Sequence, residues 1–198
     1  MDRQEAVQEN RTELIKELRA RTGAGVVDCR NALAETKGNL DRAIELLRAK
    51  GLATAAKKAG RIASQGLVES YIHTGGRVGA LVEVNCETDF VARTEEFKRF
   101  ARDVAMQATA TTPLYATRKD VPPEVVVSMR EQFSRELMGK PAAAVEGRLE
   151  KWLQDVVLLE QPFIKDESKR VRDVLTELIA KVGENIQVRR FARFKLGD

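Results

Sequence analysis

The chain has 198 residues, with 34 basic and 30 acidic side chains, a formal charge of +4, a hydrophobic fraction of 43% and 5% aromatics. This is the composition of one large or two small globular domains with an aliphatic core, and it excludes a disordered or disulfide-stapled polypeptide. Two distant cysteines, a single histidine and the lack of Walker, GxGxxG or GxSxG strings exclude zinc-site, triad and phosphate-loop chemistry, while no apolar run approaches the ~20 residues of a membrane span.

The first eleven residues are polar and carry no secretory pattern, so a cytoplasmic location without a membrane partner is expected. Leu14, Ile15 and Leu18 have helical spacing up to a stop at Gly23. Val26, Cys29 and Leu33 mark a second helix ending near Gly38. Asn39 is a good N-cap for a third, striped by Leu40, Ala43, Ile44 and Leu47 before Gly51. Residues 1–51 therefore read as a three-helix bundle with little room for an enclosed active site. From Arg48 to Arg61 there are five cations (Arg48, Lys50, Lys57, Lys58 and Arg61) and no acid. This Ala-rich stretch reads as a basic, partly helical linker over residues 52–65, with nucleic-acid or ribosome contact as the other reading.

Residues 66–198 read as an α+β core. Two strand-like runs, Gly66–His73 and Val78–Cys86, flank Thr74-Gly75-Gly76-Arg77, whose glycines suit a tight hairpin turn. Val78, Ala80, Val82, Val84 and Cys86 form its apolar face. Helical stripes follow at Phe97–Ala108, at Val126, Met129, Phe133 and Leu137, and from about Ala142 to Leu159. A last helix, with Asp166 or Ser168 as its cap, is striped from Val171 to Val182. A closing strand alternates Ile186, Val188, Ala192, Phe194 and Leu196 with polar residues, broken at Arg190 and Phe191. Paired with the hairpin it makes a small antiparallel sheet covered by helices, and an open edge of that sheet invites pairing with a second copy of the chain.

The stretch Glu83–Val91 is the most unusual, passing from an apolar strand through Glu83, Glu87 and Asp89 to Phe90. Three readings stand side by side. Thr88, Asp89 or Thr94 caps the next helix while Phe90 packs inward; Phe90 is an exposed anchor for another protein; or the carboxylates share a face and bind Mg²⁺ for acid–base work. The VRRFARFK tail mimics an RNA-binding strand, yet no stacking set of aromatics accompanies it. His73 reads as a turn residue, and Cys29 and Cys86 as buried small hydrophobes.

ETDFVAR at Glu87–Arg93 resembles the signature of the elongation factor Ts family, the nucleotide-exchange factors of elongation factor Tu. LRARTGAG at Leu18–Gly25, followed by VVDC, is similar to that family's N-terminal signature. HTGGRVGALVEVNCETDFV, VVLLEQPFIKD and IAKVGENIQVRRFARFKLG complete a resemblance along nearly the whole chain, in the family's order. The resemblance implies a ubiquitin-associated-like three-helix domain that docks on elongation factor Tu, and a core that carries the exchange motif. Thr88, Asp89, Phe90 and Val91 would dislodge Mg²⁺ from the partner, with Phe90 as a wedge and Asp89 fixing the contact. Arg19, Val26 and Val27 would be partner-docking residues, although from the residues alone Val26 equally reads as bundle packing and Arg19 as a solvated surface cation. Many family members carry methionine where Val26 and Val27 stand; the apolar character is kept with stiffer side chains. The implied protein is a non-covalent exchange factor with no catalytic residue, no cofactor, no metal site and no direct nucleic-acid partner.

Overall fold

The computed structural model describes residues 3–197, and the side chains from Arg11 onward. The chain divides into two units, one comprising the residues up to Ile62 together with Leu175–Ile186, the other Ala63–Val174 together with the residues from Gln187.

In the first unit, α1 (Arg3–Thr22), α2 (Val26–Glu35) and α3 (Leu40–Lys58) enclose Leu18, Cys29, Ala32, Leu33 and Ala43. Each turn has a local cause. Gly23, at φ 67°, donates its N–H to the Arg19 carbonyl and ends α1. Gly38, at φ 80°, bonds back to the Leu33 carbonyl, and the Asn39 side chain accepts from the Arg42 N–H at 2.9 Å to start α3. The expected stop at Gly51 does not occur: α3 runs through it to Lys58. Gly51 is buried within the helix, where a Cβ would meet Ala180 and Thr176 at 3.6 and 3.8 Å, ordinary van der Waals contact, so this glycine packs against the helix that carries them and does not end α3. The residues beyond it are tied down too. Lys58 donates to the Gly183 carbonyl at 2.6 Å and the buried Asn185 amide to the Arg61 carbonyl at 2.7 Å. Half of the stretch read as a partly helical linker, residues 52–58, is thus the last part of α3.

The second unit is built on a three-stranded antiparallel sheet of β1 (Gln65–Ile72), β2 (Val78–Cys86) and β5 (Gln187–Lys195), in the order β1-β2-β5. The hairpin turns through Gly75 and Gly76, both at positive φ. Ala80, Val82, Val84 and Cys86 are buried on the inner face, against Phe97, Phe100, Ala101, Val104, Ala105 and Ala108 of α5 (Glu95–Thr111). Between β2 and β5 the register slips: Glu83 pairs with Arg190 but Val84 with Val188, so Arg189 is an extra residue. The slip corrects the alternation expected for the last strand. Val188 is buried and Phe191 pairs with Val82, whereas Ala192 and Phe194 lie on the outward face. There Phe194 joins Val68, Ile72 and Leu81, all exposed.

Between these strands, α6 (Pro123–Glu136) and α7 (Ala142–Val156) form a hairpin around Phe133, Leu149 and Leu153, with Val121 and Val157. Arg130 clasps Glu146 across it at 2.8 Å. Asp166 and Ser168 do not cap a helix as expected. They lie in β4 (Asp166–Arg170), which pairs with β3 (Pro162–Phe163), and α8 (Val171–Val182) follows it. Two buried polar nodes hold this region. Gln107 of α5 donates to the Pro162 carbonyl at 3.1 Å and accepts from the Ile164 N–H at 2.8 Å. The Glu160 carboxylate, 6% exposed, receives Arg118, Arg170 and Arg172 at 2.9–3.0 Å, while Arg118 also grips Glu150. Among the described residues no helix is long and apolar enough to cross a membrane.

Burial pushes the Glu160 carboxyl up, but hydrogen bonding from Arg118 and the charges of Arg172, Arg118 and Arg170 outweigh it and hold its pKa below the ordinary 4.5. A depressed carboxylate stabilises the fold above its unfolded pKa, and that contribution is lost as pH falls through the lower folded value. Glu160→Gln is therefore expected to lower unfolding free energy at pH 7 by about 2–3 kcal/mol, because it leaves three arginines facing a neutral amide. Urea titrations of parent and variant should converge as pH drops below about 4; a constant gap would contradict the charged origin.

Candidate functional site

The stretch after β2 is anchored before it turns. β2 is the central strand, bonded on both sides, and the buried Cys86 thiol at its end donates to the Thr88 carbonyl at 3.1 Å. Thr88 is extended, at φ −125° and ψ 153°, and its hydroxyl oxygen accepts from the Val91 N–H, starting the single turn α4 (Asp89–Ala92). Thr94 closes the other end. Its hydroxyl donates to the Val91 carbonyl at 2.8 Å and accepts from the Phe97 N–H at 3.3 Å, which also begins α5. Four residues are too few to hold a helix by their own hydrogen bonds, so these two threonines and the burial of Val91 and Ala92 determine its geometry.

That geometry divides the motif. Val91 is 5% exposed and sits in the core, whereas Phe90 is 77% exposed. Phe90 does not pack inward, while both threonines do cap helices, so the capping part of the first reading holds and its inward-packing part does not. Asp89 is exposed and accepts from the Arg93 guanidinium, Nη2 to Oδ2, at 2.5 Å. Arg93 lies inside the ETDFVAR string, but its part was not visible there. The four-residue spacing from Asp89 becomes informative only once the segment is known to be helical.

The carboxylates do not form a cluster. The strand ends at Cys86, so Asp89 lies on a helix and not on the face of Glu83. Glu83 is held by Arg190 at 2.7 Å and by the Asn85 amide at 3.3 Å, and these hydrogen bonds, Arg190's first, lower its pKa. Among the described residues no three His, Cys, Asp or Glu side chains are placed to hold a metal ion. This corrects the reading of Glu83, Glu87 and Asp89 as a shared Mg²⁺ site.

The N-terminal candidates lie in the other unit. Val26 and Val27 open α2 and are 52% and 58% exposed, so Val26 is not a core residue of the bundle; Arg19 is exposed in the last turn of α1. Of the basic stretch, Lys50 pairs with Glu35 at 3.0 Å and Lys58 with a backbone carbonyl, so part of that charge is used inside the fold. His73 starts the hairpin turn, accepting from the Gly76 N–H at 2.9 Å and lying beside the Tyr71 hydroxyl.

A family model described as Elongation factor TS matches residues 3–177. The chain is 60% identical over 193 residues to the elongation factor Ts of Carboxydothermus hydrogenoformans, covering 94% of this chain and 89% of that protein. It is 56% identical over 190 residues to that of Caldanaerobacter subterraneus subsp. tengcongensis, with 93% and 95% covered. With that of Moorella thermoacetica it shares 54% identity over 190 residues, with 93% and 94% covered. On this breadth of agreement, the chain belongs to the elongation factor Ts family.

Proposed function

We propose that this protein is the guanine-nucleotide exchange factor of elongation factor Tu in translation elongation, acting in the cytoplasm by binding alone. The single observation that supports this reading most is the division of α4. An aromatic ring is held out in solvent by a turn whose next two residues are fixed in the core. Exposing a phenylalanine on a rigid support is costly for an isolated protein and useful for one whose ring enters a partner. Family membership supplies the partner.

In the proposed mechanism Phe90 wedges into the nucleotide-binding domain of elongation factor Tu. Asp89 fixes the contact, and Thr88 and Val91 hold the turn that presents both. The partner's GDP is retained by phosphate contacts and by Mg²⁺, which neutralises phosphate charge. A factor that binds best to the distorted, Mg²⁺-free arrangement must weaken GDP by the same ratio by which GDP weakens it. The factor stays bound until GTP enters. No bond is made or broken, so neither a catalytic group nor a cofactor is called for. Arg19, Val26 and Val27 on the helical unit are the proposed docking residues, their exposed apolar pair offering area without a preformed polar match. We propose residues 1–51 as the docking domain, 52–65 as its connection and 66–198 as the exchange core, with no direct nucleic-acid or membrane partner.

A second copy of the chain is a further proposed partner. β1 and β5 are the outer strands of the sheet, each with one edge that pairs with no strand among the described residues, and exposed Val68, Ile72, Leu81 and Phe194 lie on the adjoining face.

Phe90→Ala is expected to slow GDP release from purified elongation factor Tu by about 30-fold or more, the effect of losing a central aromatic anchor. Its melting temperature should stay within about 2 °C, because the ring is solvent-exposed. Stopped-flow release of a fluorescent GDP analogue reads the rate, and an unchanged rate refutes the wedge. Asp89→Ala should act in the same direction with a smaller loss. For self-association, sedimentation equilibrium should show dimer at micromolar concentration, and monomer alone at high concentration excludes the paired edge.

A further inference from the structure

We propose that Arg93 is a positioning residue for the exchange motif, holding the Asp89 carboxylate ready beside Phe90; this rests on the exchange reading above. One helical turn brings residues i and i+4 onto the same side. α4 therefore has a buried side, Val91 and Ala92, and an exposed side made of Asp89, Phe90 and the capping residue Arg93. Arg93 is bound to this turn at both ends. Its backbone N–H bonds to the Asp89 and Phe90 carbonyls at 3.2 and 3.3 Å, and its guanidinium meets Asp89 Oδ2 at 2.5 Å.

The two side chains are 79% and 61% exposed, so in the free protein water screens the pair and it adds little to the fold. Docking changes that balance. A partner that takes the Phe90 ring also covers the residues flanking it and strips their water. A lone carboxylate covered in this way is an uncompensated charge, whereas one already paired is desolvated together with its counter-charge. The pairing also restricts the Asp89 rotamer beforehand, which reduces the ordering needed at the moment of contact. Arg93 therefore acts through Asp89 rather than on the nucleotide. Because the contact is a single N–H to a single oxygen, a lysine can reproduce it.

The test is a cycle of the parent, Asp89→Asn, Arg93→Gln and the double variant, with Arg93→Lys and Phe90→Ala alongside, each full-length and scored by GDP release from purified elongation factor Tu. Arg93→Gln is expected to slow release about tenfold with an unchanged melting temperature. Arg93→Lys should restore most of the rate, and the double variant should be no slower than the slower single variant. An Arg93→Gln rate equal to the parent's, losses that multiply in the double variant, or a lysine that fails to restore the rate each overturn the proposal. If Phe90→Ala slows release and Arg93→Gln does not, only the positioning role falls. If Phe90→Ala is also without effect, the exchange reading falls and this inference with it.

Discussion

A helix of four residues has to be held from outside, and α4 is held by the strand before it and the helix after it. β2 is bonded along both edges and packed on α5, so the chain leaves Cys86 from the most constrained part of the sheet. Two threonine hydroxyls then convert the rigidity of strand and helix into a fixed direction for one turn. The inward seating of Val91 and the outward placement of Phe90 are two consequences of that single constraint. If β2 were an edge strand, or Thr94 could not bond to both Val91 and Phe97, the ring would lie on a mobile loop. Its ordering would then count against any complex it formed.

The rest of the second unit reads as support for this arrangement. α5 carries the aromatic layer under the sheet and also the buried Gln107, which ties it to the β3 region through main-chain bonds. One turn of chain away, Glu160 collects three arginines drawn from a 3₁₀ turn, β4 and the start of α8. Both nodes fall in or near the mostly apolar VVLLEQPFIKD string, whose Glu160 and Gln161 are buried with their polar atoms partnered.

Much of the molecule was legible in local chemistry. The Gly75-Gly76 turn, the alternation along Val78–Cys86, the Asn39 cap and the stripe from Phe97 to Ala108 each depend on neighbours within one turn or one hairpin, so periodicity and capping rules suffice. The ETDFVAR string likewise pointed to its own segment. Three features escaped that reading. Gly51 looked like a helix stop, but its partners Thr176 and Ala180 are more than a hundred residues away. The extra residue Arg189 reverses the faces of everything after it in β5, and nothing in the alternation of that strand reveals where its partner slips. Asp166 and Ser168 resemble helix caps in isolation, yet they lie in β4, which begins with Asp166 paired to Phe163 of β3.

The order of residues therefore decided the class of fold, the identity of the exposed motif and the family, since all three rest on patterns carried within short windows and on their succession along the chain. The side of the fold on which each motif residue lies was decided in three dimensions. Phe90 and Val91 are adjacent and both apolar, and periodicity cannot say which of them faces water. The caps at Thr88 and Thr94 and the packing beneath α4 set that choice, just as the pairing with Arg190 and the end of β2 at Cys86 separate Glu83 from Asp89.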